Sequence, residues 1–136
     1  MREILFKAKR LSDGKWVEGA LFDGENHCII GQIIDFSPYV EGECKIVGYE
    51  VDRNTICQYT GLTDNNGSKI WENDIVKSGG NFVIVWDKSL ASFCLVKDGW
   101  AFKHFFGDVL YPFECEVVGN IFDEGCDYFG EGAERD

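Results

Sequence analysis

Apolar residues along this chain recur at every second position, in short runs that stop at glycine, asparagine, aspartate or serine. A strand sends alternate side chains to opposite faces, so a period of two bounded by turn formers reads as β-structure. Ile4, Phe6 and Ala8 fall on one face and Glu3, Leu5 and Lys7 on the other. Ser12-Asp13-Gly14-Lys15 is a turn, and the extended pattern resumes from Trp16 to Leu21, which predicts an opening hairpin. Asp23-Gly24-Glu25-Asn26 turns again, and the β-branched run from Cys28 to Ile34 reads as a buried strand.

Beyond it, Ser37-Pro38-Tyr39 and Glu41-Gly42-Glu43 make a polar, irregular loop, the candidate boundary or insertion. Extended segments follow at Lys45–Val51 and Ile56–Tyr59. Thr63 to Ser68 then carries Asn66-Gly67, whose preference for a type I′ turn predicts a tight hairpin. Asp74–Lys77, Phe82–Trp86 and Ser92–Val96 read as three successive strands, the first two joined by Ser78-Gly79-Gly80-Asn81. Trp100–Leu110 fits a short amphipathic helix or a loop packed by its own aromatics, and Cys115–Phe122 is a last strand.

Composition agrees: aromatics reach 15%, with 16 glycines and two prolines, as short strands and many turns require. The expected fold is mainly β, with antiparallel strands in a small barrel or sandwich and at most one or two short helices. The second half suits an SH3-like barrel. One β domain is expected over 1–122, with subregions 1–55 and 56–122, and an acidic tail over 123–136.

The net charge is −11, from 24 acids and 13 bases. That balance repels phosphate, so direct nucleic-acid binding is disfavoured. Asp123, Glu124, Asp127, Glu131, Glu134 and Asp136, against the single base Arg135, carry about half of it. Six cysteines, at 28, 44, 57, 94, 115 and 126, include no C-x-x-C pair. No apolar leader precedes them and no run approaches a membrane span, so reduced thiols and a cytosolic location are expected.

The densest polar cluster is Gln58, Tyr59, Thr60, Asp64, Asn66, Glu72 and Asp74, the candidate binding residues. Three acids near a turn invite a calcium or magnesium reading. The spacing argues against it: with Gly67 at the sixth place of an EF-hand loop, Leu62 and Asn73 fall where carboxylates are required. Turn formation by Asp64 and Asn66, and strand entry by Glu72 and Asp74, is the simpler reading. Nucleophilic catalysis needs a base beside the nucleophile. His27 adjoins Cys28, but neighbours on a strand face opposite ways. His104 lies among phenylalanines, and Gly79-Gly80 lacks the lysine of a phosphate loop. No catalytic residue, metal or cofactor is expected.

The run Gln58-Tyr59-Thr60-Gly61-Leu62, then Asp64, Asn66-Gly67, Ile70, Glu72 and Asp74-Ile75-Val76, resembles the YopX family. So do Phe6-Lys7-Ala8 with Trp16-Val17-Glu18-Gly19, and the closing Glu116 to Phe122. Two departures stand out: Asn73 where the family has glycine, and Trp71 where it has tyrosine or phenylalanine. The resemblance implies a mostly β fold and a phage or prophage origin, without implying an activity. The expected function is a non-enzymatic protein-binding module with a protein partner, self-association being left open. The alternatives are an acidic nucleic-acid mimic that inhibits a basic host protein, and an enzyme using Asp64, Glu72 or Asp74.

Overall fold

The computed structural model of the chain describes residues 3–36, 44–97, 102–105 and 115–126. The loop from Ser37 to Glu43 and the acidic segment from Asp127 onward lie outside them. The strands are β1 (Phe6–Lys9), β2 (Trp16–Asp23), β3 (Cys28–Phe36), β4 (Cys44–Glu50), β5 (Cys57–Thr63), β6 (Lys69–Trp71), β7 (Asp74–Lys77), β8 (Asn81–Asp87), β9 (Ser92–Lys97), β10 (Phe102–Phe105) and β11 (Glu116–Asn120). Among the described residues the only helical element is a 3-10 turn, Arg53–Thr55. The fold is therefore mainly β, built as two antiparallel sheets, neither of which closes into a barrel. The chain forms two compact units, Met1–Gln58 and Tyr59–Asp136.

In the first unit the strand order is β4-β3-β2-β1, with Cys57 and Gln58 of β5 paired to the outer side of β1. The inward positions of each strand meet in one core of Ala8, Val17, Cys28, Ile30 and Val51, against which Phe6, Leu21, Tyr49 and Ile56 pack. The opening hairpin forms as expected, with Gly14 at φ +72 and Asp13 Oδ1 accepting from Lys15 N at 3.0 Å. The bridge Arg10↔Val51, with Leu11 N donating to Glu50 O at 3.0 Å, ties the end of β1 to the end of β4. Thr55 secures the same corner: its Oγ1 accepts from Lys9 N at 2.9 Å and donates to Asp52 O at 2.7 Å.

Gly19 is the steric hinge of this unit. A Cβ there would lie 2.3 Å from Gly31 O, a backbone atom that cannot swing aside. Gly19→Ala should lower the unfolding free energy by about 1–3 kcal/mol, the usual range for overpacking. A urea melt that matched wild type would show instead that β2 and β3 can separate locally without loss.

The second unit begins with the β5–β6 hairpin, whose turn differs from the expected type I′. That turn needs positive φ at both Asn66 and Gly67, and of the two only Gly67, at φ +80, has it. Asp64 N donates to Ser68 O at 2.8 Å and Gly67 N to Asp64 O at 3.1 Å, closing a longer loop with Gly67 in the left-handed position. The Asp64 carboxylate selects this shape by accepting from Asn66 N and Ser68 N, donors that a two-residue turn would not present together.

The strands β7, β8 and β9 form the expected meander, and the five-stranded order is β10-β9-β8-β7-β11. Ile70, Val76, Ile84, Leu95 and Cys115 make its core, with Phe82, Phe93 and Val117 packed against them. β10 and β11 remain as edges, so the SH3-like closure expected here does not occur. Part of Trp100–Leu110 is likewise neither helix nor loop: Phe102–Phe105 is a strand antiparallel to β9. Pairing satisfies the N–H and C=O groups that β9 would otherwise leave open. The rest of that segment lies outside the described residues.

Candidate functional site

The polar cluster singled out in the sequence is gathered by β5, β6, the two turns around β6, and β11. Asp64 is buried, and its carboxylate is fully engaged. Oδ1 accepts from Asn66 N at 2.9 Å and Ser68 N at 2.8 Å, while Oδ2 accepts from Val117 N at 2.8 Å. Burial pushes this carboxyl up, but the N–H groups of Val117, Ser68 and Asn66 together outweigh it and hold the pKa below the ordinary value. Asp64 therefore both shapes the β5–β6 turn and fastens β11 to it, with Asn65 N donating to Cys115 O at 3.0 Å beside it.

Asp74 does parallel work one turn later. Its Oδ2 accepts from Trp71 N at 2.8 Å and its Oδ1 from Asn120 Nδ2 at 2.9 Å. Asn120, buried on β11, also donates to Glu72 O at 3.3 Å and accepts from Phe122 N at 3.0 Å. Between them Asn73 sits at φ +70, donating to Ile84 O at 2.7 Å and accepting from Ile121 N at 3.0 Å. The turn thus demands the left-handed region, which glycine and asparagine tolerate best.

Of the remaining candidates, Tyr59 is buried with its ring 5.5 Å from that of Trp71, tilted by 46°. Thr60 Oγ1 donates to Ile70 O at 2.7 Å. Asn66 is exposed, and Gln58 pairs with Phe6 in the first unit. Within the second unit, the contacts of Tyr59, Thr60, Asp64 and Asp74 tie strands and turns together. Among the described residues, no group of three or more His, Cys, Asp or Glu side chains is placed to hold a metal.

In the first unit an open depression of about 280 Å³ is lined by residues that include His27, Glu50, Arg53 and Asn54. His27 Nδ1 lies 3.0 Å from Glu50 Oε1, and Arg53 Nη2 lies 3.1 Å from Asp23 Oδ1. Cys28 also lines it, but burial raises the thiol pKa, opposed in part by Arg53, so the reactive thiolate is disfavoured.

The feature that sequence reasoning missed lies on β2, β3 and β4. The register pairs Ala20↔Gly31, Phe22↔Ile29, Gly31↔Gly48, Ile29↔Glu50 and Ile33↔Ile46. Directly opposed residues share a face, so Phe22, Ile29, Ile33 and Ile46 stand together over a floor of Gly31 and Gly48. Phe22 is 55% exposed, Ile33 59% and Ile46 58%. Beyond Gly31, β3 pairs with β4 and no longer with β2, and Ile34 there is also 56% exposed. The run from Cys28 to Ile34 is thus buried only in its first half. β-branched content signals a strand and cannot say how much of it reaches the core. The facing glycines become a signal only once register is known. Trp86, Leu90 and Val118 are among the other large apolar side chains left exposed.

No helix among the described residues is long and apolar enough to cross a membrane. The YopX protein family matches residues 5–125. No curated protein matches the chain. Among solved structures, the chain is similar to the crystal structure of protein EF1440 from Enterococcus faecalis, at 26% identity and a TM-score of 0.51, over 90% of this chain and 95% of that one.

Proposed function

The chain belongs to the YopX family, and from that premise we propose that it is a phage- or prophage-encoded accessory protein, a non-enzymatic protein-binding module of the host cytosol that docks through the apolar face of β2, β3 and β4. One observation carries the reading: Phe22, Ile33 and Ile46 are each more than half exposed and adjacent on one sheet face. Contiguous exposed apolar surface costs solubility, and in soluble proteins it commonly marks an interaction site. A two-stranded extension such as β3–β4 beyond Gly31 is also marginal alone and gains from being covered.

The enzymatic alternative rested on Asp64, Glu72 and Asp74. Its two buried acids accept backbone N–H groups, which favours an architectural role for them. The nucleic-acid-mimic alternative draws on the charge of −11. It needs carboxylates arrayed outward, and Asp64, Asp74 and Asp87 are spent inside as turn caps.

Ile46→Asp tests the proposal. An exposed substitution should change stability by no more than about 0.5 kcal/mol. Affinity capture from host lysate should then retain a protein on wild type at both low and high salt and lose it on Ile46→Asp. Unchanged capture by a folded Ile46→Asp variant would refute the assignment of this face.

A further inference from the structure

We infer that the occupant of the β2–β4 face is a basic protein segment, apolar at its centre and flanked by lysine or arginine. The inference rests on reading this face as the docking surface and adds the chemistry of what docks there. Strand parity places Glu18, Ala20 and Phe22 of β2 on the same face as Ile29, Gly31 and Ile33 of β3 and Ile46, Gly48 and Glu50 of β4. Glu18 and Glu50 are both exposed, and they bracket the apolar centre. Lys45 alternates to the opposite face. Lys7 stands opposite Glu18 on this face with its Nζ 4.4 Å from the Trp16 ring of β2, and Glu50 Oε1 lies 3.0 Å from His27 Nδ1, so the rim carries these bases beside its two carboxylates.

The centre itself is continuous. A Cβ on Gly31 would lie 2.9 Å from Phe22 Cε2 and 3.5 Å from Ile46 Cγ2, and one on Gly48 2.9 Å from Ile29 Cγ2. The side chains therefore lean over the glycines and leave little backbone for a partner to read. Affinity must come from apolar contact, and discrimination from the acidic rim and the field of the whole chain, −11 in net charge. Charge decides between occupants. A second copy would bring the same carboxylates and the same negative field to the interface, whereas a basic rim is attracted to both.

Two synthetic peptides test this on the full chain, sharing one Val-Phe-Ile-Val centre and flanked by lysines or by glutamates. Binding is read from backbone amide shifts in two-dimensional NMR. The lysine peptide should shift Phe22, Gly31, Ile33, Ile46 and Gly48 and bind at least about tenfold tighter than the glutamate peptide at about 50 mM salt. The gap should shrink at high salt, where exposed charges are screened, and also in the Glu18→Gln/Glu50→Gln double variant. Equal binding of the two peptides, lost in Ile46→Asp, would overturn the charge inference and leave the docking face standing. So would a dimer in sedimentation that Ile46→Asp dissociates. Absence of any shift on this face, together with unchanged lysate capture by Ile46→Asp, would overturn both.

Discussion

Trp71→Ala is expected to lower the unfolding free energy by about 3–5 kcal/mol, the cost of emptying a buried aromatic site. Trp71 is buried on β6 with its ring against Tyr59, and its N–H is held by Asp74 Oδ2. Its removal leaves Tyr59 without its ring partner. Trp71→Phe, which restores most of the aromatic volume, should cost about 1.5 kcal/mol or less. Guanidinium melts of the two variants would check this. An alanine variant melting with wild type would mean that the Trp71 ring contributes nothing to the stability of its unit.

Asp64→Ala is expected to cost about 2.5–5 kcal/mol. A turn-capping role alone would cost about 0.5–2 kcal/mol, and the structure requires more. The carboxylate also holds Val117 N on β11, 53 residues away in sequence. A bond to a charged acceptor contributes about 1.5–3 kcal/mol, and a donor left unmatched is costly. Asn66 and Ser68 are exposed and can turn to water, which keeps the total from tripling. The pH dependence has a definite sign. The folded pKa of Asp64 lies below its ordinary value, so its contribution is fully present above about pH 4 and is lost as pH falls through that region toward the folded pKa. The stability difference between wild type and Asp64→Asn should therefore be flat from about pH 5 to 7 and narrow below about pH 4. A difference that grew on acidification would exclude the carboxylate as the acceptor.

Much of the fold was legible from local pattern. β2, β4 and the β7–β8–β9 meander fall where alternation and glycine turns place them, because a strand's period is a property of the strand alone. The positive φ of Asn73 emerged only from the structure. The Asn66-Gly67 turn was read by the right residues and given the wrong type. Its geometry answers to Asp64, and the full role of Asp64 involves a strand that arrives 53 residues later.

The candidate site divides along the same line. Gln58 to Asp74 could be named as a polar neighbourhood from residue types and spacing. Whether its carboxylates face solvent or backbone depends on β11, whose docking no local spacing records. The apolar face of Phe22, Ile29, Ile33 and Ile46 was invisible for a related reason. Isoleucine in a strand looks the same whether it faces a core or solvent. Strand identity and turn chemistry are short-range and were written in consecutive residues. Register, sheet order and which face is covered are set by pairing between distant segments, through backbone hydrogen bonds common to every sequence, and tertiary structure alone assigned them.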